Sequence, residues 1–180
     1  MRRAILVLPI ARTVRAMMER EVASARVRAA KIGDAHRIDR VIRYLDDFHA
    51  RARPDLFRTP IGKPRGEDFV SSILGDPLQK IFVALQAGKV VGCLHVLIKH
   101  TPASPFRRDR RFGEIDSVAV LPEAQRLGLG REMIQTALEW LTRQGVDDHQ
   151  IAAHAFNDGA RRLYEDLGFT LSVTLLRRRN

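Results

Sequence analysis

The chain has 180 residues, 45% of them hydrophobic, a formal charge of +10 and a single cysteine, Cys93. That length suits one domain with a real core, and one cysteine excludes an internal disulfide and fits a reducing, cytoplasmic compartment. No apolar run approaches the length that spans a bilayer, and the positive field favours anionic ligands over polycationic ones.

In chain order, Ala4 to Ala11 follow Arg2 and Arg3 with the outline of a signal peptide. The segment is short and broken by Pro9, and Arg12 and Arg15 follow where a small-residue cleavage site would lie. It reads as an extension, residues 1–24, ahead of a domain spanning 25–180, or as a start placed upstream of Met17 or Met18. Val27 to Ala30 then predict a short strand, and Asp34 is the expected N-cap of a helix striped by Ile38, Val41, Ile42, Leu45 and Phe48. Pro54, Pro60, Gly62, Pro64 and Gly66 mark a loop, and Phe69, Val70, Ile73 and Leu74 a shorter helix ending at Gly75. Ile81–Leu85 and Val90–Ile98 predict strands joined by a hairpin over Gln86–Lys89, with Gly92 marking a bulge or a close backbone approach. The basic stretch Phe106–Arg111 precedes a strand, Ile115–Val120.

The most informative run follows that strand. Gln125-Arg126-Leu127-Gly128-Leu129-Gly130 leads into a helix whose apolar residues recur at Leu129, Met133, Ile134, Ala137, Leu138 and Leu141, with a stop at Gly145. A helix N-terminus offers unpaired N–H groups and the positive end of the helix dipole, and glycines let a diphosphate approach the backbone. The loop lacks the Gly-Lys-Ser/Thr of nucleotide hydrolases, and the third glycine of a dinucleotide fingerprint is replaced by Met133. Downstream, Gln150–Phe156 predict a strand. Asn157-Asp158-Gly159-Ala160 and Leu163, Tyr164, Leu167, Gly168 and Phe169 predict a capped helix, its stop and a further strand.

The two blocks, Q/R-x-x-G-x-G/A and N-x-x-A-x-x-x-Y-x-x-x-G-F, together resemble the GNAT N-acetyltransferase superfamily over about Ala25 to Asn180. The resemblance implies an α/β (α+β) fold in the order β-α-α-β-β-β-α-β-α-β: a mixed, mostly antiparallel sheet of about six strands flanked by four helices, splayed at the cofactor strand. It implies an acetyl-CoA-dependent transferase that moves an acetyl group to a primary amine of a small molecule or protein by direct attack. Val118 and Val120 would pair with pantetheine through their backbone groups, and Ala119 between them is counted with the cofactor-binding residues. Gln125, Arg126, Leu127, Gly128, Leu129, Gly130 and Arg131 would hold the pyrophosphate, and Asn157 would reach the cofactor side. Tyr164 would bind the cofactor and protonate the leaving sulfur.

Glu114 or Asp116 is the expected base, both sharing a face with Val118 and Val120 by strand alternation. His154 has a suitable intrinsic acidity. Ala152 stands where the branch acetylating ribosomal-protein N-termini tends to carry a glutamate. No histidine spacing suits a metal. Arg107–Arg111 and Arg177–Arg179 keep an aminoacyl-tRNA acceptor as an alternative, and a non-catalytic acyl-CoA-binding module is a third reading. Eleven residues follow Phe169, enough for a strand Thr170–Arg177 but not a hairpin, which leaves a sheet edge that a homodimer would cover.

Overall fold

The computed structural model describes residues 26–59, 61–62 and 66–178. The expected extension 1–24, and Pro60 and Pro64 of the loop, lie outside the described residues. Strand β1 (Arg26–Ala29) is followed by a single 3-10 turn, helix α1 (Ala35–Ala52) and helix α2 (Gly66–Leu74). Strands β2 (Gln79–Gln86), β3 (Lys89–Thr101) and β4 (Arg110–Val120) follow, then α3 (Leu129–Arg143), β5 (His149–Ile151) and α4 (Asp158–Asp166).

The sheet runs in chain order, β1-β2-β3-β4-β5, antiparallel throughout except for the parallel pair β4–β5. Parallel neighbours need a crossover, and α3 supplies it. Two cores form, one on each face. Ile38, Val41 and Ile42 of α1 and Val70 and Ile73 of α2 pack on Ile81, Val83, Cys93 and Ala119. Met133, Ile134, Ala137 and Leu141 of α3, with Tyr164 of α4, pack on Phe82, Leu94, Val96 and Ile115. The sequence stripes account for this, because each helix presents one apolar face and the strands alternate between the two cores.

Local geometry explains the joints. Ala87 and Gly88 both take positive φ, as the two-residue turn of a hairpin requires. At Gly92 both expectations hold: the β2–β3 register slips beside it, and an added Cβ would lie 3.0 Å from Met133 Cε and 3.1 Å from the Ala119 carbonyl oxygen. Asp34 flanks α1, but its carboxylate accepts from Arg28 (2.7 and 3.0 Å) and from the Lys31 N–H (2.9 Å) instead of capping the helix. The Arg28 guanidinium holds that buried carboxyl below the usual carboxylate range.

Three expectations are corrected. Strand β4 begins at Arg110, so the basic stretch is partly strand. Arg110 pairs with Asp148, and Arg111 donates to the Gln144 carbonyl at the end of α3. The apolar segment Gln150–Phe156 gives only the short strand β5. Thr170–Arg177 forms no strand, so the described residues supply five strands of the sheet. Leu171, Val173, Leu175 and Leu176 there are 80–91% exposed, and the segment pairs with no described strand. No described helix is long and apolar enough to cross a membrane.

Candidate active site

The site begins where β4 and β5 part. Gly113, Glu114 and Ile115 pair with His149, Gln150 and Ile151, and beyond Ile115 no strand among the described residues lines that edge of β4. The β3–β4 register also shifts here, since His95 faces Ser117 while Val96 faces Ile115, which leaves Asp116 as the bulged residue. The bulge reverses the alternation of β4. Gly113 N–H points outward to the Asp148 carbonyl, whereas Leu121 N–H points inward to Val91. By alternation, Val118 and Val120 turn their backbone groups to the uncovered edge, and Ala119 turns its own toward β3. The two residues expected to pair with the cofactor arm thus face the uncovered edge, whereas Ala119, counted with them, does not.

The same bulge separates residues expected on one face. Val118 and Val120 pack with the α3–α4 core, whereas Asp116 approaches His95, and Glu114 reaches Lys99, on the α1–α2 side. Glu114 is held on both oxygens, accepting from Lys99 Nζ at 2.7 Å and from Gln150 Nε2 at 2.6 Å. The Asp116 side chain is 52% exposed, with Oδ2 3.3 Å from His95 Nδ1.

The glycine loop leads from the end of β4 to α3. Arg126 and Gly128 both take left-handed backbone conformations, and Gly128 is the N-cap of α3. The first bond of the helix runs from Glu132 N–H to the Gly128 carbonyl, so helix geometry gives Leu129, Gly130 and Arg131 N–H no acceptor one turn back. No atom lies within 4 Å of where a Gly128 Cβ would be, and the one added at Gly130 would only touch Leu163 at 3.5 Å. The result is a row of donors at the positive end of a helix. Leu127 packs inward against the α3–α4 core. Gln125 does not join the row. Its amide nitrogen donates to the Val120 carbonyl and to the Tyr44 hydroxyl, both at 2.9 Å, tying the loop to β4 and α1.

Asn157 caps α4, its Oδ1 accepting from Ala160 N–H at 3.1 Å. Tyr164, on the same helix, is buried with its ring against Phe169, and burial pushes its hydroxyl up to about 12. Arg131 bridges to Asp166 at 3.0 Å and holds the start of α3 beside α4.

Helix α1 crosses the molecule toward this opening. Arg40 pairs with Glu123, Tyr44 meets Gln125, and His49 packs on His154 with ring centroids 5.3 Å apart. Phe57 and Phe156 complete the cluster around His154, at 5.3 and 5.4 Å. Burial, and secondarily the neighbouring His154, push His49 below its ordinary value, so it stays neutral at physiological pH. His154 thus lies in an aromatic wall built from both sides of the gap. Among the described residues no group of three or more His, Cys, Asp or Glu is placed to hold a metal.

Residues 42–169 match the Acetyltransferase (GNAT) family. The chain belongs to that family. A mycothiol acetyltransferase of Thermobispora bispora is 38% identical over 89 residues, covering 49% of this GNAT chain and 29% of that protein. The chain therefore spans less than a third of that relative. The tetramutant BH1408 protein of Bacillus halodurans has a TM-score of 0.79 at 19% identity, over 86% of this chain and 99% of that one. The aminoglycoside N-acetyltransferase AAC(6')-Iy, solved in complex with CoA, has a TM-score of 0.67 at 15% identity, over 87% and 94%. At these identities the solved structures establish a shared GNAT fold.

Sequence reasoning missed His95, Gln79 and Asp76, which stand behind Asp116. No local spacing links them, because they come from β2, the turn before it and β3.

Proposed function

We propose that this GNAT protein transfers an acetyl group from acetyl-CoA to an amine by direct attack. The observation that carries this reading is one continuous path. The uncovered edge of β4 at Val118 and Val120 leads to the donor row at Leu129, Gly130 and Arg131. An extended amide-bearing arm suits the first, as an added strand does, and a diphosphate suits the second. Gln125 holds the Val120 carbonyl, which leaves Val120 N–H and both groups of Val118 for such an arm. The mycothiol acetyltransferase relatives support the reaction class over the half of the chain they match.

In this mechanism the acceptor ammonium loses a proton and its nitrogen attacks the thioester carbon. The C–S bond then breaks, and Tyr164 protonates the departing thiolate. A carboxylate at the head of the gap takes the first proton. Asp116 has the more exposed side chain, 52% against 21% for Glu114, and is the better placed of the two.

The acceptor reading follows from charge and shape. A net charge of +10 favours anionic CoA and works against polycationic acceptors. The wall of His49, Phe57, His154 and Phe156 suits a small amine with an apolar portion. The arginines proposed for tRNA are partly committed within the chain: Arg110 to Asp148, Arg111 to α3, and Arg107 over the Phe106 ring.

The test is CoA release from acetyl-CoA against a panel of neutral, anionic and polycationic amines, peptides and aminoacyl-tRNA. Turnover with a small apolar amine is expected. Tight acetyl-CoA binding with no turnover anywhere would instead identify a binding module. At the donor row, Gly128→Val forces a branched side chain into a left-handed conformation and toward the anion's approach. A loss of about 1.4 kcal/mol or more, tenfold in acetyl-CoA Kd, is expected by calorimetry. An unchanged Kd would remove the loop from the binding site.

A further inference from the structure

A chain of four polar side chains runs beneath the head of the gap. Asp76 Oδ2 accepts from Gln79 Nε2 at 2.7 Å, and Gln79 Oε1 faces His95 Nε2 at 2.9 Å. His95 Nδ1 lies 3.3 Å from Asp116 Oδ2. His95 is buried, packed beside the Phe69 ring of α2, whereas Asp116 opens to solvent.

The order of this chain fixes the imidazole. An amide has a donating end and an accepting end, and the Asp76 carboxylate can only accept. The NH2 of Gln79 is therefore turned to Asp76, and its oxygen to His95. In a neutral imidazole one nitrogen carries hydrogen and the other a lone pair, and the partners decide which. Nε2 faces an oxygen, so it carries the hydrogen. Nδ1 then presents its lone pair to the Asp116 carboxylate. Two acceptors face each other, and a single added proton turns the contact into a charge-assisted hydrogen bond.

We propose that His95 and Asp116 together form the proton acceptor of the reaction, with His95 a positioning residue that acts through Asp116. This rests on the acetyl-transfer reading. An ammonium N–H bond of the acceptor breaks, directly or through one water, and its electron pair becomes the nucleophile. The proton enters at the exposed Asp116 and comes to rest on His95 Nδ1, so that Asp116 begins and ends as a carboxylate. Once transfer is complete, the proton leaves to solvent by the same route. Among the described residues, those that face His95 from the neighbouring strands and from α2 carry no charge. Ile81 faces it from β2, Ser117 from β4 and Phe69 from α2. Cys93, on the same face of its own strand, has a thiol pushed up to about 12 by burial and stays neutral. The charged groups of the chain are Asp116 and, behind Gln79, Asp76.

Two measurements on the full chain test this. Imidazole 15N spectra of the wild type should show neutral His95 with its hydrogen on Nε2. Gln79→Leu, which removes the fixed acceptor, should mix the two neutral tautomers. In kinetics, His95→Gln and Gln79→Leu should move or abolish the ascending limb of kcat/KM against pH while acetyl-CoA affinity is retained. The loss expected in His95→Gln at neutral pH is about 10²-fold, the low end for proton-transfer catalysis. A merely structural role would lower activity equally at every pH. Hydrogen on Nδ1 in the neutral form, or an unmoved pH limb in both variants, would overturn the proposal. If the wild type turned over no amine at all, the acetyl-transfer reading would fail while the spectra still decided the tautomer.

Discussion

Tyr164→Phe is expected to lower kcat by about 10²- to 10⁴-fold, the span usual for loss of a positioned proton donor. The ring packs in the α3–α4 core against Phe169, and phenylalanine keeps that packing. Only the hydroxyl is lost. Burial raises that hydroxyl to about 12, so it holds its proton across the neutral range and has one to give to a thiolate. The effect therefore falls on kcat, with acetyl-CoA Kd and thermal stability little changed. Steady-state kinetics beside calorimetry separate these quantities. A variant within about threefold of wild-type kcat would assign proton donation elsewhere and leave Tyr164 a packing residue.

Gly113→Ala is expected to cost about 1–3 kcal/mol of stability, as forced overpacking does. An added Cβ would lie within 2.3–2.9 Å of Leu141 Cδ1, Cδ2 and Cγ, and Leu141 is fully buried. The backbone at this point has little room to shift, because Gly113 N–H is bonded to Asp148 and the residue pairs with His149. Leu141→Ala alone should cost about 2–5 kcal/mol by leaving a cavity. In the double variant the new methyl has space, so the two costs should fall short of their sum. Chemical denaturation of the four proteins measures the coupling. Strict additivity would mean that helix and strand adjust independently at this joint.

Much of this architecture was legible in the chain. The apolar recurrences of α1, α3 and α4, the hairpin at Ala87–Gly88 and the donor row at Gly128 each depend on local chemistry: a stripe, a turn, a cap. What escaped depends on partners far away in sequence. The bulge at Asp116 carries no glycine or proline signal and arises from how β3 and β4 meet, yet it decides which face Asp116 and Val118 occupy. Period-two counting could not find it. Strand β4 begins five residues earlier than its apolar core because Arg110 and Arg111 are satisfied by Asp148 and the end of α3. The segment Thr170–Arg177 had the length of a strand, but length alone supplies no hydrogen-bonding neighbour. Of the site, the loop and Tyr164 were visible as motifs, whereas Gln125 proved to tie β4 to α1 and His95 emerged only from its contacts.

The single parallel pairing in the sheet also bears on how the chain reaches this shape. β2 and β3 meet across a two-residue turn, and β4 follows antiparallel, so these contacts close short loops. β5 must wait for all of α3 to be laid down between it and β4, and it gains only a three-residue register in return. Short loops cost less entropy to close than long ones, which makes β2–β3–β4 the natural nucleus and β5 a late arrival. Of the strands, β5 then holds the least folding free energy of its own. Among the strands, local opening should begin there, and amide exchange should be faster along β5 than along β2, β3 and β4.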